Sequence, residues 1–229
     1  MGKRRKYIKK QTHDTKQNKE MKAHTKETQA TMTPEKSLQF LKEGNERFQN
    51  NLKANRNLLE QVNETRDGQF PFATILSCID SRVSAELVFD QGLGDIFSVR
   101  IAGNFVNEDI LGSMEFASKL AGTKLIVVLG HTSCGAIKGA CDDAKLGNLT
   151  SMLAKIKPAV QAVNEPKDAS LRNSQNQDFV NNVAVQNVKM AIDNIRMKSP
   201  VLQEMEENKE IKIVGGMYDI SDGSVTFFE

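Results

Sequence analysis

Three residues with metal-binding side chains stand at two points of the sequence: Cys78, and the pair His131 and Cys134. Each point lies at or directly after the end of a short apolar run, 72–78 or 124–130, that is typical of a buried strand. Two thiolates and one imidazole form a donor set that suits Zn²⁺, and three protein ligands leave a fourth position open, as in catalytic zinc sites. We interpret the trio as a zinc site. The competing interpretation is that each residue only fills the core.

Asp80 and Arg82 lie two and four residues after Cys78. One interpretation is a surface ion pair, which contributes little to stability. The catalytic interpretation is that Arg82 keeps Asp80 ionised and oriented, so that its carboxylate accepts a hydrogen bond from hydroxide on the zinc. Alternatively, Asp80 ligates the zinc itself and closes the fourth position in an inactive state.

The remaining cysteine and histidines are set apart from this group. Cys141 lies seven residues after Cys134, about two helical turns further on, so we predict a small buried residue there. No Cys-x-x-Cys pair is present, which argues against a thiol redox protein. His13 and His24 lie in a basic N-terminal segment, so the rest of the chain has only His131 and no second histidine to shuttle a proton.

Strands and helices alternate through the middle of the chain. Strand patterns at 72–78, 96–101 and 124–130 are separated by helical patterns at 85–90 and 108–120. This alternation predicts an α/β fold with a mostly parallel central sheet flanked by helices. Sites in such sheets form beyond the carboxyl ends of the strands, so residues far apart in sequence can meet there.

The two ends of the folded part have different patterns. A helical arm is predicted to begin at Thr33, where Thr can cap a helix and Pro follows at its first position. Further helices are predicted over 149–163 and 178–197. Segments 211–214 and 224–228, joined by a Ser-Asp-Gly turn, predict an antiparallel hairpin at the sheet edge.

Charge divides the 229-residue chain unevenly. The net charge of +2 combines +7 in residues 1–28, with ten Lys/Arg and three acids, and −5 in the remainder. We predict a disordered basic tail over 1–32 and a single catalytic domain over 33–229. The mildly acidic body argues against a nucleic-acid-binding fold. No apolar run of about 18 residues or secretory signal is present, and three cysteines form no complete disulfide framework, so we expect a cytoplasmic protein without a membrane span.

The motifs CIDSR, at 78–82, and HTSCGA, at 131–136, together resemble the β-class carbonic anhydrases. DQGLGDIFSVRIAGN, at 90–104, and GSMEFA, at 112–117, extend the similarity, which runs from about Thr33 to the C-terminus. The resemblance implies that Zn²⁺ is held by the Cys–His–Cys trio, beside an Asp–Arg catalytic dyad. It also implies reversible hydration of carbon dioxide to bicarbonate by attack of zinc-bound hydroxide, and a homodimer or higher even-numbered oligomer.

The resemblance also implies a substrate pocket at the subunit interface, with Gln69, Phe97, Phe116 and Gly103 as its candidates. Phe116 stands where one subgroup of the family has Tyr, so a hydroxyl is missing from the pocket. Gln69 is expected from one subunit and the two phenylalanines from the other.

Two other functions remain open at this stage. The same site could hydrolyse a carbon dioxide analogue such as carbonyl sulfide or carbon disulfide. The chain could instead be a non-catalytic zinc or RNA-binding protein that uses its basic tail.

Overall fold

The computed structural model describes residues 20–228. Within them a single five-stranded sheet has the order β2-β1-β3-β4-β5. The first four strands in that order pair in parallel, and β4 and β5 pair antiparallel. The mostly parallel sheet and the hairpin at its edge are therefore confirmed. The strands are β1 (Ala73–Ser77), β2 (Ile96–Arg100), β3 (Leu125–His131), β4 (Lys212–Tyr218) and β5 (Val225–Phe228).

Helices flank this sheet, as the sequence predicts. In the described part of the chain, none of them is long and apolar enough to cross a membrane. The helices are α1 (Lys26–Ala30), α2 (Pro34–Gln49), α3 (Leu58–Thr65), α4 (Ala85–Val88), α5 (Glu108–Glu115), α6 (Gly135–Cys141), α7 (Gly147–Ala154), α8 (Lys157–Ala162), α9 (Gln177–Lys198) and α10 (Pro200–Glu207). A π-helical turn (Phe116–Leu120) extends α5, and a 3-10 turn (Ala169–Leu171) precedes α9.

The core lies on both faces of the sheet, because β1 and β3 are buried along their whole length. Alternate side chains of β3 point to opposite faces. Ile126 and Val128 pack with residues of α5, α9 and α10, whereas Val127 and Leu129 pack with residues of α2 and α4. This burial on both faces explains why the sequences of the central strands are mostly apolar and do not alternate between apolar and polar residues.

Two helical predictions need correction. The segment 149–163 forms α7 and α8 rather than one helix, because Pro158 stands in the first turn of α8. A proline has no N–H and is tolerated there, but it interrupts a continuous helix. The sequence analysis also missed α10, although Ser199 caps it by accepting a hydrogen bond from the Leu202 N–H at 3.2 Å.

The prediction of disorder through residue 32 is wrong for residues 20–32. Ala23 and Met32 are buried, and Thr25 caps the short helix α1. The Gln29 side-chain amide donates to the Pro71 carbonyl at 2.7 Å and the Ala121 carbonyl at 2.8 Å. Apolar content alone underestimated this segment, because polar side chains attach it to the body. The rest of the predicted tail, 1–19, with His13, lies outside the described residues.

Candidate metal centre

The fold brings Cys78, His131 and Cys134 together at the carboxyl edge of the sheet. Cys78 directly follows β1, His131 ends the neighbouring strand β3, and Cys134 caps α6. The three ligand atoms lie within 4.8 Å of one another, and the two sulfur atoms are 3.9 Å apart. All three residues are buried, with at most 4% of their surface exposed. The parallel pairing of β1 and β3 therefore produces the convergence that the sequence predicts.

The histidine ring is oriented as a metal ligand would be. His131 Nδ1 lies 2.9 Å from the Thr132 carbonyl oxygen, which is a partner for a protonated Nδ1. Nε2 is buried and has no hydrogen-bond partner among residues 20–228. A carbonyl that fixes one ring nitrogen commonly leaves the other nitrogen to bind a metal. The unpartnered Nε2, beside two sulfur atoms, therefore indicates a metal site.

The two cysteines differ in acidity. The Cys134 thiol donates to Cys78 and the Gly103 N–H adds support, so the pKa of Cys78 is lowered although burial opposes this. The same contact with Cys78, together with burial, raises the pKa of Cys134. A position at the N-terminus of α6 therefore does not by itself favour a thiolate at Cys134. A divalent cation is needed to hold two thiolates at this distance.

Zinc fits this donor set. A tetrahedral ion with Zn–S distances of about 2.3 Å separates two sulfur ligands by about 3.8 Å. The observed Sγ–Sγ distance of 3.9 Å agrees with that value. Two cysteines and one histidine can hold Zn²⁺ and leave one coordination position for another group.

Asp80 and Arg82 form a two-point ion pair beside the cluster. Arg82 Nε donates to Asp80 Oδ1 at 2.9 Å, and Nη2 donates to Oδ2 at 2.8 Å. The Arg82 backbone N–H also donates to Oδ1. These contacts hold the pKa of Asp80 well below its usual range. The carboxylate is thus ionised and oriented, and it is not part of the ligand group that includes Cys78.

Arg100 is a site residue that the sequence analysis missed. Its Nε donates to the Cys78 carbonyl at 3.0 Å, and its Nη2 donates to the Asp80 carbonyl at 2.7 Å. The guanidinium therefore holds the loop that carries both the ligand and the carboxylate. Its position at the end of β2, directly opposite Ser77, was the available signal.

The pocket candidates lie in two places. The Gly103 N–H donates to Cys78 Sγ at 3.4 Å, so this residue lies against the metal cluster. Phe97 pairs with Thr74 on β1 and contacts Phe116, with ring centroids 6.3 Å apart. Gln69 is exposed in the loop that enters β1. Apart from Gly103, these candidates lie towards the amino edge of the sheet, away from the metal cluster of their own chain.

Known proteins share both the sequence and this architecture. The family model described as carbonic anhydrase matches residues 73–225. Carbonic anhydrase 2 of Mycobacterium tuberculosis is 34% identical over 80% of this chain and 87% of its own length. A carbonic anhydrase of Mycolicibacterium smegmatis is 33% identical over 81% and 88%.

Solved structures agree with the sequence relatives. The β-carbonic anhydrase CafA of Aspergillus fumigatus superposes with a TM-score of 0.65 at 25% identity, over 75% of this chain and 81% of that chain. The sequence, the fold and the metal cluster therefore agree, and the chain belongs to the β-carbonic anhydrase family.

Proposed function

We propose that this protein is a zinc carbonic anhydrase that interconverts carbon dioxide and bicarbonate. The observation that carries the proposal is the buried convergence of Cys78, Cys134 and the unpartnered Nε2 of His131. When bound, Zn²⁺ lowers the pKa of a coordinated water towards about 7 and so supplies a nucleophile near neutral pH. Family membership identifies the reaction as the hydration of carbon dioxide.

The Asp80–Arg82 pair is proposed to orient the nucleophile. Arg82 occupies both carboxylate oxygens of Asp80, so the carboxylate is fixed as a hydrogen-bond acceptor beside the metal ligands. An acceptor that is fixed before the reaction holds the nucleophile with its lone pair towards the substrate carbon. Because its pKa is low, Asp80 stays ionised at neutral pH. We propose that Asp80 acts as an oriented hydrogen-bond acceptor and does not bind the zinc while it is paired with Arg82.

The substrate pocket is proposed to form between two copies of the chain. Phe97 lies three residues before Arg100 on β2, about 10 Å from the carboxyl edge. Phe97 and Phe116 line an open groove of about 840 Å³ along β2 and α5, which Arg100 also lines. We propose that they complete the pocket of a partner subunit. Gln69 also precedes β1, so the same partner subunit can present Gln69 together with the two phenylalanines. This arrangement differs from the expectation that Gln69 and the phenylalanines come from different subunits.

A cytoplasmic location is part of the proposal. Cys78, Cys134 and Cys141 are all free thiols, and two of them are needed as metal ligands. Thiolate ligands persist in a reducing compartment, where disulfides are rare.

The test measures zinc content and carbon dioxide hydration together. Purified protein is assayed by stopped-flow indicator kinetics as isolated, after removal of zinc and after zinc is restored. We expect one zinc per chain and turnover that follows the zinc content. Zinc-loaded protein that hydrolyses carbonyl sulfide faster than it hydrates carbon dioxide would favour the alternative hydrolase. Zinc-loaded protein with neither activity would contradict the proposal that this protein is an enzyme.

A further inference from the structure

We propose that Asn187 is a positioning residue that directs the Gly103 N–H at the sulfur of the zinc ligand Cys78. Asn187 lies on α9, far in sequence from both residues. Its side-chain amide donates to the Gly103 carbonyl at 2.8 Å, and the Gly103 N–H donates to Cys78 Sγ at 3.4 Å. Two hydrogen bonds thus connect a central residue of α9 to a metal ligand. The inference rests on the zinc site described above.

Asn187 is a buried polar side chain that needs a hydrogen-bond partner. It is only 4% exposed and lies on a helix face with the buried residues Ala184, Val188 and Ala191. Burying an amide among apolar groups is unfavourable unless it forms hydrogen bonds. The Gly103 carbonyl provides that bond, so we assign the side chain to the turn it contacts.

The contacted turn depends on external support. Gly103 has a φ of +78° and Asn104 a φ of +38°, which are left-handed conformations. A Cβ at Gly103 would be strained at this φ and would lie too close to Ile156 Cδ1, so glycine suits this position best. Glycine is also the residue with the greatest backbone freedom. The hydrogen bond from Asn187 restrains that freedom, and it holds the adjacent N–H towards Cys78.

The same helix also supports the second ligand loop. The Ser133 N–H, between His131 and Cys134, donates to Asn181 Oδ1 at 3.1 Å. Ser133 has a φ of +56°, so this loop is also in a left-handed conformation. Helix α9 therefore contacts both loops that surround the metal cluster.

The expected chemical effect is on the sulfur. An N–H donor lowers the energy of the sulfur lone pairs, so its loss moves thiolate-to-metal charge transfer to lower energy. The loosened turn also holds the ligand less well in position, which weakens metal binding. Partners of metal ligands typically change metal affinity by about 10- to 100-fold when they are removed. Cobalt(II) in the zinc site reports on this directly, because thiolate-to-cobalt charge transfer absorbs in the near ultraviolet.

The experiment compares Asn187→Leu with the matched control Asn194→Leu. Asn194 is half-buried on the same helix and lines the same 320 Å³ cavity as Asn187, and its side chain has no hydrogen bond within residues 20–228. We expect Asn187→Leu to move the charge-transfer band of the cobalt protein to longer wavelength and to weaken zinc binding by about 10-fold or more. The control is expected to keep the wild-type band and affinity.

A second variant separates positioning from stability. Asn187→Ala also removes the amide donor but adds neither charge nor bulk, so it should shift the band in the same direction even where Asn187→Leu does not fold. Folded variants with the band and zinc affinity of the control would overturn the proposal. A wild-type cobalt protein without any thiolate band would instead contradict the zinc site, and neither reading requires carbon dioxide turnover.

Discussion

The two edges of the central sheet are built differently. At the carboxyl edge Cys78, His131 and Cys134 are buried, and loops from a single chain bring their ligand atoms together. At the amino edge Phe116 is 52% exposed and Leu120 is 76% exposed. The metal site is thus complete within one chain, whereas the aromatic groove is open. The difference indicates that metal binding and substrate enclosure are separable, as the proposed pocket between two copies requires.

The largest expected effect comes from removing a ligand at the carboxyl edge. Cys78→Ala takes away one of three protein ligands, so zinc should be lost and carbon dioxide hydration should fall by about 10³-fold or more. Elemental analysis and stopped-flow kinetics on the same sample measure both. Cys141→Ala is the control, because Cys141 lies outside the cluster. Normal zinc content in Cys78→Ala would contradict the assignment of Cys78 as a zinc ligand at the carboxyl edge.

Removing the oriented carboxylate should have a smaller effect. Asp80→Asn keeps the three ligands, so zinc should stay bound, while activity falls by about 10²-fold because an oriented hydrogen-bond acceptor is lost. The ratio of activity to zinc content is the measured quantity. Asp67→Asn, in the exposed pair with Arg66, is the matched control. Unchanged turnover in Asp80→Asn would leave the dyad without a catalytic role.

A charge at the amino edge tests whether the second copy is needed. Phe116→Asp should weaken self-association by about 2 kcal/mol, or about 30-fold in Kd, and activity should fall on dilution while zinc stays bound. Sedimentation velocity and specific activity are measured over a range of protein concentrations. Leu171→Asp is the control, since Leu171 is 50% exposed in the 3-10 turn away from the groove. Equal behaviour of the two variants would show that the amino edge is not an interface.

Asp90 forms ion pairs with Arg47 and Arg56 near the amino edge, and this ion cluster should make the stability of the fold depend on pH. Burial opposes the ionisation of Asp90, but hydrogen bonds from Arg47, Arg56 and the Ala54 N–H prevail and lower its pKa. Its stabilisation is therefore present above the unfolded pKa, near 4, and is lost as pH falls through the folded value.

Asp90→Asn should accordingly cost about 1.5 kcal/mol of unfolding free energy at pH 7 and less at pH 3. Urea denaturation at both pH values measures the difference from wild type. Asp222→Asn, at an exposed position, should show no such change. A cost that is the same at both pH values would contradict an ionised Asp90.

The smallest expected effect is at the position where the sequence departs from the family subgroup. Phe116→Tyr adds a hydroxyl to an exposed aromatic ring in the groove, and one new hydrogen bond to substrate should raise kcat/KM by about 2- to 10-fold. Steady-state kinetics at several carbon dioxide concentrations measures it. A fall in kcat/KM would show that Phe116 packs too closely for a hydroxyl.

Local sequence signals predicted the carboxyl edge well. Apolar runs identify β1 and β3, and each ligand stands directly after or at the end of its strand, so topology alone brings them together. The residues that hold the ligand loops in place could not be predicted in the same way. Arg100 and Asn187 act through hydrogen bonds to backbone carbonyls, and such partners follow from three-dimensional packing rather than from residue spacing.

The N-terminal segment shows the same limit in another form. Residues 20–32 are poor in aliphatic side chains, which indicates disorder when composition alone is considered. Their attachment depends on Gln29 and on the Ala23 N–H, which donates to Glu64 at 2.9 Å. Single polar contacts of this kind leave no periodic pattern in the sequence.

The double hydrogen bond of Gln29 has a practical consequence for anyone who shortens the protein. A version that begins at Thr33 would leave the carbonyls of Pro71 and Ala121 without their donor. Those two residues lie in the loops that lead into β1 and β3, the strands that carry the metal ligands. A shortened protein for crystallisation or isotope labelling should therefore begin before Thr25, which caps the helix that carries Gln29.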